Sequence, residues 1–354
     1  MEILLEEFYK TDIQLEKYHD RKVFIENKSY QINGISQSGK TYLIKNYLIS
    51  LKKNSYLYID CNDIRIDIAK LNQTLSSFLN QNKIMLLVLD NYIDTIRLVN
   101  VSQLILSSQK HYDYVFLETL QLFPLDYEEF LAYEQKYDAS ALNHFFQIGG
   151  LPVIQKIAND EKNVFLQNIL KKSLNDISFD IMVFCAKHVS QKISAFSIYE
   201  RLKQTRKISK DKLYTSFDML QRHNYIHLLS KFNYPKATKK IYLSDIAFKS
   251  ALSVEKNFGK LFENMIYLEL LKSHIACYYE DDIDFYLPQS DAIILSKPFA
   301  DERRLFQKLE SIEAFLFTHS IKKVTAITMS KEGTISHPLS KVEMLPFDIW
   351  ALGD

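Results

Sequence analysis

A loop near the start of the chain has the residue types and the spacing that bind phosphate. Two glycines with four residues between them are followed by a lysine and a threonine, in the pattern G-x-x-x-x-G-K-[ST]. In such loops backbone N–H groups surround the phosphates of a nucleotide, the lysine contacts the β- and γ-phosphates, and the hydroxyl binds Mg²⁺. The pattern therefore predicts a site for a nucleotide and Mg²⁺. Its residues are Gly34, Ile35, Ser36, Gln37, Ser38, Gly39, Lys40 and Thr41.

A second candidate for the same site follows a predicted buried strand. Residues 84–89 are apolar without interruption, and Asp90 comes directly after them. P-loop enzymes hold Mg²⁺ with an acid at such a place, so we predict that Thr41 and Asp90 share the metal. The alternative is an ordinary polar residue in a turn. Ser107 and Ser108 end the next predicted strand and are candidate sensors of the terminal phosphate. The alternative is an ordinary pair of serines at the end of a strand.

Strands and helices alternate around these residues, which predicts an α/β fold with a doubly wound parallel sheet. Apolar, β-branched and aromatic runs predict five strands, and helical spacing predicts two helices between them. The predicted strands are 29–33, 55–60, 84–90, 103–108 and 114–117, and the helices are 41–51 and 64–80. An acidic helix follows over 126–137, with Asp126 as its N-cap and Glu129 completing a capping box.

Positive charge is concentrated in one segment of a chain whose formal net charge is only +1. Residues 187–240 hold 13 Lys or Arg and three Asp or Glu, a pattern typical of nucleic-acid binding. The pattern fits a winged helix-turn-helix with a short helix at 196–202, a recognition helix at 211–223 and a hairpin over 225–243. A lysine-rich solvated face or a protein-contact module is the alternative. The candidate contacts to double-stranded DNA are Lys207, Lys210, Lys212, Tyr214 and Arg222, and Ser216 is also expected to point outward.

Five stretches together resemble the prokaryotic AAA+-like ATPases that carry a C-terminal nuclease-like domain of unknown function. They are NGISQSGKTYLIKNYL, LLVLDNY, LFPLDYEEFLAY, FFQIGGLP, and FGKLFENMIYLEL followed by DDIDFYL. The resemblance implies ATP and Mg²⁺ as ligands. It also implies a P-loop domain followed by a helical lid, a winged helix and a small α/β nuclease-like domain.

The chain departs from that family next to its strand acid. The family usually has Glu after the aspartate, where it orients the attacking water, and this chain has Asn91. An amide can bind water but cannot accept its proton, so we expect hydrolysis to be slow or absent unless another residue such as Asp94 substitutes. Ser36 replaces a usual Arg, and the usual Gly-Arg pair after the sensor strand is missing.

The resemblance also assigns three positions in the last third of the chain. Glu263, Asp284 and Lys297 match the acids and the lysine of PD-(D/E)xK nucleases, in which the acids hold Mg²⁺. Leu295 stands where active enzymes have a second strand carboxylate, and an apolar residue cannot bind the metal. We therefore expect a nuclease-like fold that has lost cleavage.

These predictions divide the chain into three domains. They are 1–150 with the P-loop, 151–248 with the lid and winged helix, and 249–354 with the nuclease-like fold. The first residues lack a signal-peptide pattern, and no run of about 18 apolar residues occurs. Three separated cysteines fit a reducing compartment. We expect a cytoplasmic protein without membrane contact.

The leading hypothesis is an Mg·ATP-binding ATPase whose nucleotide state positions a DNA-binding winged helix and an inactive nuclease-like domain. The alternative is a nucleotide-sensing scaffold that does not hydrolyse ATP and docks a protein partner. A third hypothesis is an active nuclease with an ATPase regulator.

Overall fold

The computed structural model describes residues 1–15, 19–138 and 140–353. The chain forms two compact units. One comprises Met1–Pro124 with Arg222–Asn224, and the other comprises Leu125–Gln221 with Tyr225–Asp354. The three predicted domain ranges stay predictions. No helix in the described ranges is both long enough and apolar enough to span a bilayer.

The first unit is a parallel sheet with interleaved helices. All five strands run parallel, in the order β2-β3-β4-β1-β5, which confirms the predicted α/β class and parallel sheet. Strand β4 lies between β1, which precedes the glycine loop, and β3, which ends in the predicted metal acid. The elements are α1 (Glu2–Lys10), β1 (Tyr30–Asn33), α2 (Lys40–Ile49), β2 (Tyr56–Asp60), α3 (Ile68–Gln81), β3 (Leu86–Asp90), β4 (Gln103–Ser108) and β5 (Glu118–Gln121).

Both faces of this sheet are covered. In β3, Leu86 and Val88 pack into a core that includes α2, whereas Leu87 and Leu89 pack into a second core with α1 and α3. Successive side chains of a strand point to opposite faces, so a strand covered on both sides must be apolar throughout. The uninterrupted apolar run before Asp90 therefore has a structural cause, and it fixes where that acid emerges.

The predicted strand over 114–117 is wrong. These residues form a turn, and the fifth strand follows directly at Glu118–Gln121. Val115 and Phe116 are exposed, while the Tyr114 ring stacks on Tyr112 at 5.6 Å between centroids. The aromatic and β-branched content that predicted a strand is used here for local ring packing in a loop.

The second unit begins with helices and ends with a mixed sheet. The elements up to the basic hairpin are α4 (Tyr127–Glu134), α5 (Ser140–Ile148), α6 (Lys162–Ser173), α7 (Asp176–Lys187), β6 (Lys192–Ile193), α8 (Ala195–Leu202), α9 (Lys210–Arg222), β7 (Ile226–Leu229) and β8 (Lys239–Leu243). The predicted hairpin is confirmed, since β7 and β8 pair antiparallel, and β6 adds a third strand beside β8.

The remaining elements are α10 (Ala247–Leu252), α11 (Phe258–Lys272), β9 (Tyr278–Glu280), β10 (Ile283–Leu287), β11 (Ala292–Ser296), α12 (Glu302–Thr318), β12 (Lys323–Thr328), β13 (Gly333–Ile335), β14 (Lys341–Pro346) and α13 (Phe347–Leu352). Their sheet has the order β13-β14-β12-β11-β10-β9. Strands β9, β10 and β11 are antiparallel, and β12 runs parallel to β11 after the crossover helix α12.

Side-chain hydrogen bonds stabilise two points near the start of the second unit, the beginning of α4 and the turn after α5. The predicted capping box of α4 is confirmed: Asp126 accepts from the Glu129 N–H at 2.8 Å, and Glu129 accepts from the Asp126 N–H at 3.2 Å. At the end of α5, Gly149 has φ +72°, and an added Cβ there would overlap the carboxylate of Asp245. That buried carboxylate also accepts from the Gly150 N–H at 2.8 Å, so it holds the turn in place.

Candidate nucleotide-binding site

The glycine loop joins β1 to α2, and both of its glycines are required by the backbone. Gly39 caps α2 with φ +100°, a conformation that glycine adopts at little cost. An added Cβ on Gly34 would overlap the Leu122 carbonyl oxygen and crowd the Ser38 hydroxyl. The loop backbone is therefore packed against the end of β5 with no room for a side chain at its first position.

Lys40 is held inside this loop. Its side chain is buried, and Nζ donates to the carbonyl oxygens of Gly34 at 2.8 Å and Ile35 at 3.0 Å. Burial lowers the pKa of Lys40 to about 8, although the Asp90 carboxylate acts in the opposite direction. The ammonium thus lies within the same turn of backbone whose N–H groups would surround an anion.

Asp90 is fully buried at the end of β3 and contacts Thr41. Its Oδ2 accepts from the Thr41 hydroxyl at 2.7 Å and from the Tyr58 hydroxyl at 2.8 Å. Its Oδ1 accepts from the Ser107 hydroxyl and from the Asn91 N–H at 3.1 Å. The structure therefore brings together the two predicted metal ligands, and all four groups that hold the carboxylate are neutral donors.

This donor set fits Mg²⁺. A hydroxyl and a carboxylate are hard oxygen ligands, and Mg²⁺ in nucleotide sites is bound by one or two protein oxygens together with phosphates and water. The Ser38 hydroxyl adds a second sign of a ligand site, because it is buried and has no hydrogen-bond partner among the described residues. It lies in the loop, where it could donate a hydrogen bond to a phosphate oxygen.

Asn91 adopts a left-handed backbone with φ +55°, which asparagine tolerates better than most residues. Its Nδ2 donates to Oδ1 of Asp60 at 2.9 Å. Its N–H also donates to the Ser107 hydroxyl at 3.0 Å. The Asn91 amide thus bridges the ends of β2 and β3.

The two other polar candidates have partners of their own. The Ser108 hydroxyl accepts from the Lys110 N–H at 3.0 Å, and its role as a sensor stays a prediction. Asp94, the suggested substitute for the missing glutamate, forms an ion pair with Lys110 at 2.7 Å.

Sequence reasoning missed three side chains around the site. Tyr58 lies within β2 and Asp60 ends it, and the register of β2 beside β3 pairs Asp60 with Asp90. Strand ends were the available signal, because parallel strands bring their carboxyl ends to one edge. Arg21 had no signal: it lies outside the helices and strands and donates to the carbonyl oxygens of Ser38 at 3.1 Å and Phe123 at 2.7 Å.

Helix α9 carries most of the predicted DNA contacts. Leu213, Phe217 and Leu220 are buried as predicted. The Lys210 ammonium lies over the rings of Phe196, at 5.7 Å, and Tyr214, at 5.5 Å. The other exposed candidates are Lys207, Lys212 and Arg222.

One outward position predicted on α9 is wrong. Ser216 is only 7% exposed. It precedes Phe217 on the helix, and the buried face is wide enough to include it.

The predicted nuclease-like residues lie close together, but one lysine, Lys240, lies between the two acids. Glu263 Oε1 accepts from Lys240 Nζ at 2.8 Å, and Oε2 accepts from Lys260 Nζ at 3.0 Å. Lys240 also lies 3.7 Å from Asp284, and Lys297 lies 3.8 Å from it. Lys240 was not among the predicted residues of this cluster.

The comparison with protein families bears on the first of these sites. Residues 26–122 match the model of an AAA domain. The matched range holds the glycine loop, Asp90 and Ser108, so the candidate site described above lies within the part of the chain that is similar to an AAA domain.

Two further kinds of similarity cover more of the chain than this match does. The chain is similar to an uncharacterized protein of Methanocaldococcus jannaschii, with 25% identity over 398 aligned positions that cover 93% of this chain and 89% of that protein. Among solved structures it is similar to the Walker-type ATPase of Pyrococcus abyssi, with a TM-score of 0.42, 10% identity, and coverage of 63% and 90% of the two chains. It is also similar to the ORC1 protein of Aeropyrum pernix in complex with DNA, with a TM-score of 0.32, 12% identity, and coverage of 64% and 86%.

Proposed function

We propose that this protein binds Mg·ATP in its AAA domain and hydrolyses it slowly. The observation that carries the proposal is the 2.7 Å hydrogen bond between the Thr41 hydroxyl and the Asp90 carboxylate. It joins the end of the glycine loop to the end of β3, so the two oxygen ligands that Mg²⁺ needs already face each other. Lys40 lies inside the same loop.

Each residue has a chemical task in this proposal. The loop N–H groups and Lys40 hold the phosphates, since preorganised donors stabilise charge that develops during phosphoryl transfer. Thr41 and Asp90 hold Mg²⁺, which when bound neutralises charge on the phosphates. Tyr58 and Ser107 orient the Asp90 carboxylate. Burial raises the pKa of Tyr58 and Asp90 adds to this, so its hydroxyl stays a donor.

Nucleotide binding is tested by calorimetric titration of the full chain with ATP and Mg²⁺. Lys40→Ala should reduce the affinity by at least about 100-fold, because the ammonium is lost from the phosphate site. Lys52→Ala, at an exposed position just beyond the same helix, is the control and should bind ATP as the parent does. Unchanged affinity in Lys40→Ala would refute the proposed site.

We also propose that α9 contacts double-stranded DNA, as the leading element of a winged helix formed by α8, α9 and the β7–β8 hairpin. The exposed cations of α9 and the Lys210–Tyr214 pair support this, because lysines and aromatic side chains contact phosphates and sugars. In this proposal nucleotide state positions that element together with the nuclease-like sheet.

Fluorescence anisotropy with a labelled duplex tests the DNA contact. Replacing Lys207, Lys210 and Lys212 together by Ala should weaken DNA binding. The slope of the logarithm of the binding constant against the logarithm of the salt concentration should become shallower by about three, because about three phosphate contacts are lost. Unaltered binding by that variant would reject α9 as the contact and favour the alternative, a nucleotide-sensing scaffold that docks a protein partner.

A further inference from the structure

We propose that Asp60 is the carboxylate that accepts the proton of the attacking water during ATP hydrolysis. This inference rests on the proposed nucleotide site and gives it the reactive group that position 91 lacks. An amide can orient water but cannot take its proton. The structure offers a carboxylate in contact with that amide.

The position of Asp60 supports this role. It ends β2, the strand beside β3, and its register partner is Asp90. Its Oδ1 accepts from Asn91 Nδ2 at 2.9 Å and from the Asn62 N–H at 3.0 Å. Within the described part of the chain, no hydrogen bond reaches Oδ2. Asp60 is half-buried, so one carboxylate oxygen is held by the protein and the other is open to a water molecule.

The other acids near these strand ends are engaged. Asp90 accepts four hydrogen bonds and belongs to the metal site. Asp94 is paired with Lys110 at 2.7 Å. Asp63 is paired with Arg65 at 2.7 Å, and hydrogen bonds from Arg65 lower the pKa of Asp63 to about 2. An acid paired with a cation is a poor proton acceptor, which leaves Asp60.

The water oxygen forms a bond to the γ-phosphorus, and the bond from that phosphorus to the bridging oxygen breaks with its electron pair leaving on ADP. One water proton passes to the Asp60 carboxylate and then to the phosphate product or solvent. Asn91 holds Asp60 Oδ1 throughout, so it acts as a positioning residue.

The test compares four full-length proteins: the parent, Asp60→Asn, Asp94→Asn as the matched control, and the double variant Asp60→Asn with Asn91→Asp. Asp60→Asn should lower the rate of phosphate release by about 100-fold, within the range for loss of a general base. Its ATP affinity should change less than threefold. The Asp94→Asn control should hydrolyse ATP like the parent.

The double variant exchanges the two side chains and keeps an amide–carboxylate pair across the strand ends. It should release phosphate at least about tenfold faster than Asp60→Asn alone, since aspartate also tolerates the left-handed backbone of position 91. A second readout uses Mg·ADP with aluminium fluoride, a mimic of the transferring phosphoryl group. Asp60→Asn should bind this complex more weakly than the parent while its ADP affinity stays the same.

The measurements distinguish a failure of nucleotide binding from a failure of the role of Asp60. A parent protein that fails to bind ATP would overturn the proposed function itself. A parent that binds ATP without turnover would leave nucleotide binding intact and overturn the role of Asp60. Turnover by Asp60→Asn within threefold of the parent, with unchanged affinity for the aluminium fluoride complex, would also overturn it.

Discussion

Two buried carboxylates in this protein are held by different kinds of donor. Asp90 in the first unit accepts hydrogen bonds from hydroxyl groups and a backbone N–H. Glu263 in the second unit accepts from the ammonium groups of Lys240 and Lys260 and from the Tyr242 hydroxyl. Neutral donors orient a carboxylate and leave its charge available to a cation, whereas ammonium groups neutralise it.

The contrast explains why similar residue types predict different chemistry in the two units. A metal ion at Glu263 and Asp284 would compete with Lys240, which already lies close to both acids. Within the described ranges, no group of three His, Cys, Asp or Glu side chains is placed to hold a metal. The loss of cleavage expected for the last third of the chain stays a prediction.

Removing the ammonium group of Lys240 should give the largest change in stability among the variants that test this difference between Asp90 and Glu263. Lys240→Ala should lower the free energy of unfolding by about 3–5 kcal/mol, because it leaves part of a buried charge without its partner. Urea unfolding followed by the fluorescence of Trp350, the single tryptophan, reports on the second unit. The exposed Lys236→Ala is the control and should change stability by less than about 0.5 kcal/mol. A Lys240→Ala protein as stable as the parent would contradict the claim that the Lys240 ammonium stabilises the buried Glu263 carboxylate.

Asp245 sharpens the contrast, since it is a buried carboxylate held by backbone N–H groups. Burial raises its pKa to about 6 from 3.8, so between these values the folded protein binds more protons than the unfolded chain. Its contribution to stability therefore falls as pH rises from about 4 to 6, by about 2–3 kcal/mol at 1.36 kcal/mol per unit.

The measurement is the stability difference between the parent and Asp245→Asn, again by Trp350 fluorescence. The parent's advantage should be about 2–3 kcal/mol greater at pH 4 than at pH 7. A difference that is independent of pH would show that Asp245 does not titrate in this window.

Two matched tyrosine variants give the smallest effect. Tyr58→Phe removes one hydroxyl donor from Asp90, and Tyr242→Phe removes one from Glu263. Each substitution should lower the free energy of unfolding, measured by calorimetry, by about 1–2 kcal/mol, because each carboxylate keeps its other donors. Equal losses would place the difference between the sites in the ammonium groups. A much larger loss for Tyr242→Phe would contradict that assignment.

The parts of the fold and site that follow from the sequence are those with local signals. The glycine loop, the apolar run before Asp90 and the capping box of Asp126 each depend on residues a few positions apart, and the structure contains all three. The strand predicted at 114–117 and the outward Ser216 are wrong because composition and spacing do not show how a side chain is packed.

Contacts between distant segments account for what was missed. Lys240 and Glu263 meet because a hairpin strand passes beside α11, and Tyr58 reaches Asp90 because β2 and β3 are neighbours. Strand order and register decide these contacts, and neither can be deduced from one strand at a time.

The hydrogen bond between Asn91 and Asp60 joins positions 31 residues apart. It therefore restricts which pairs of residue types these two positions can carry. Two carboxylates at these positions would repel each other, and two amides would provide no charge. The φ of +55° at position 91 further narrows the choice toward Asn and Asp. Natural variation among descendants of this chain should therefore change the two positions together, as a paired exchange of one acid and one amide.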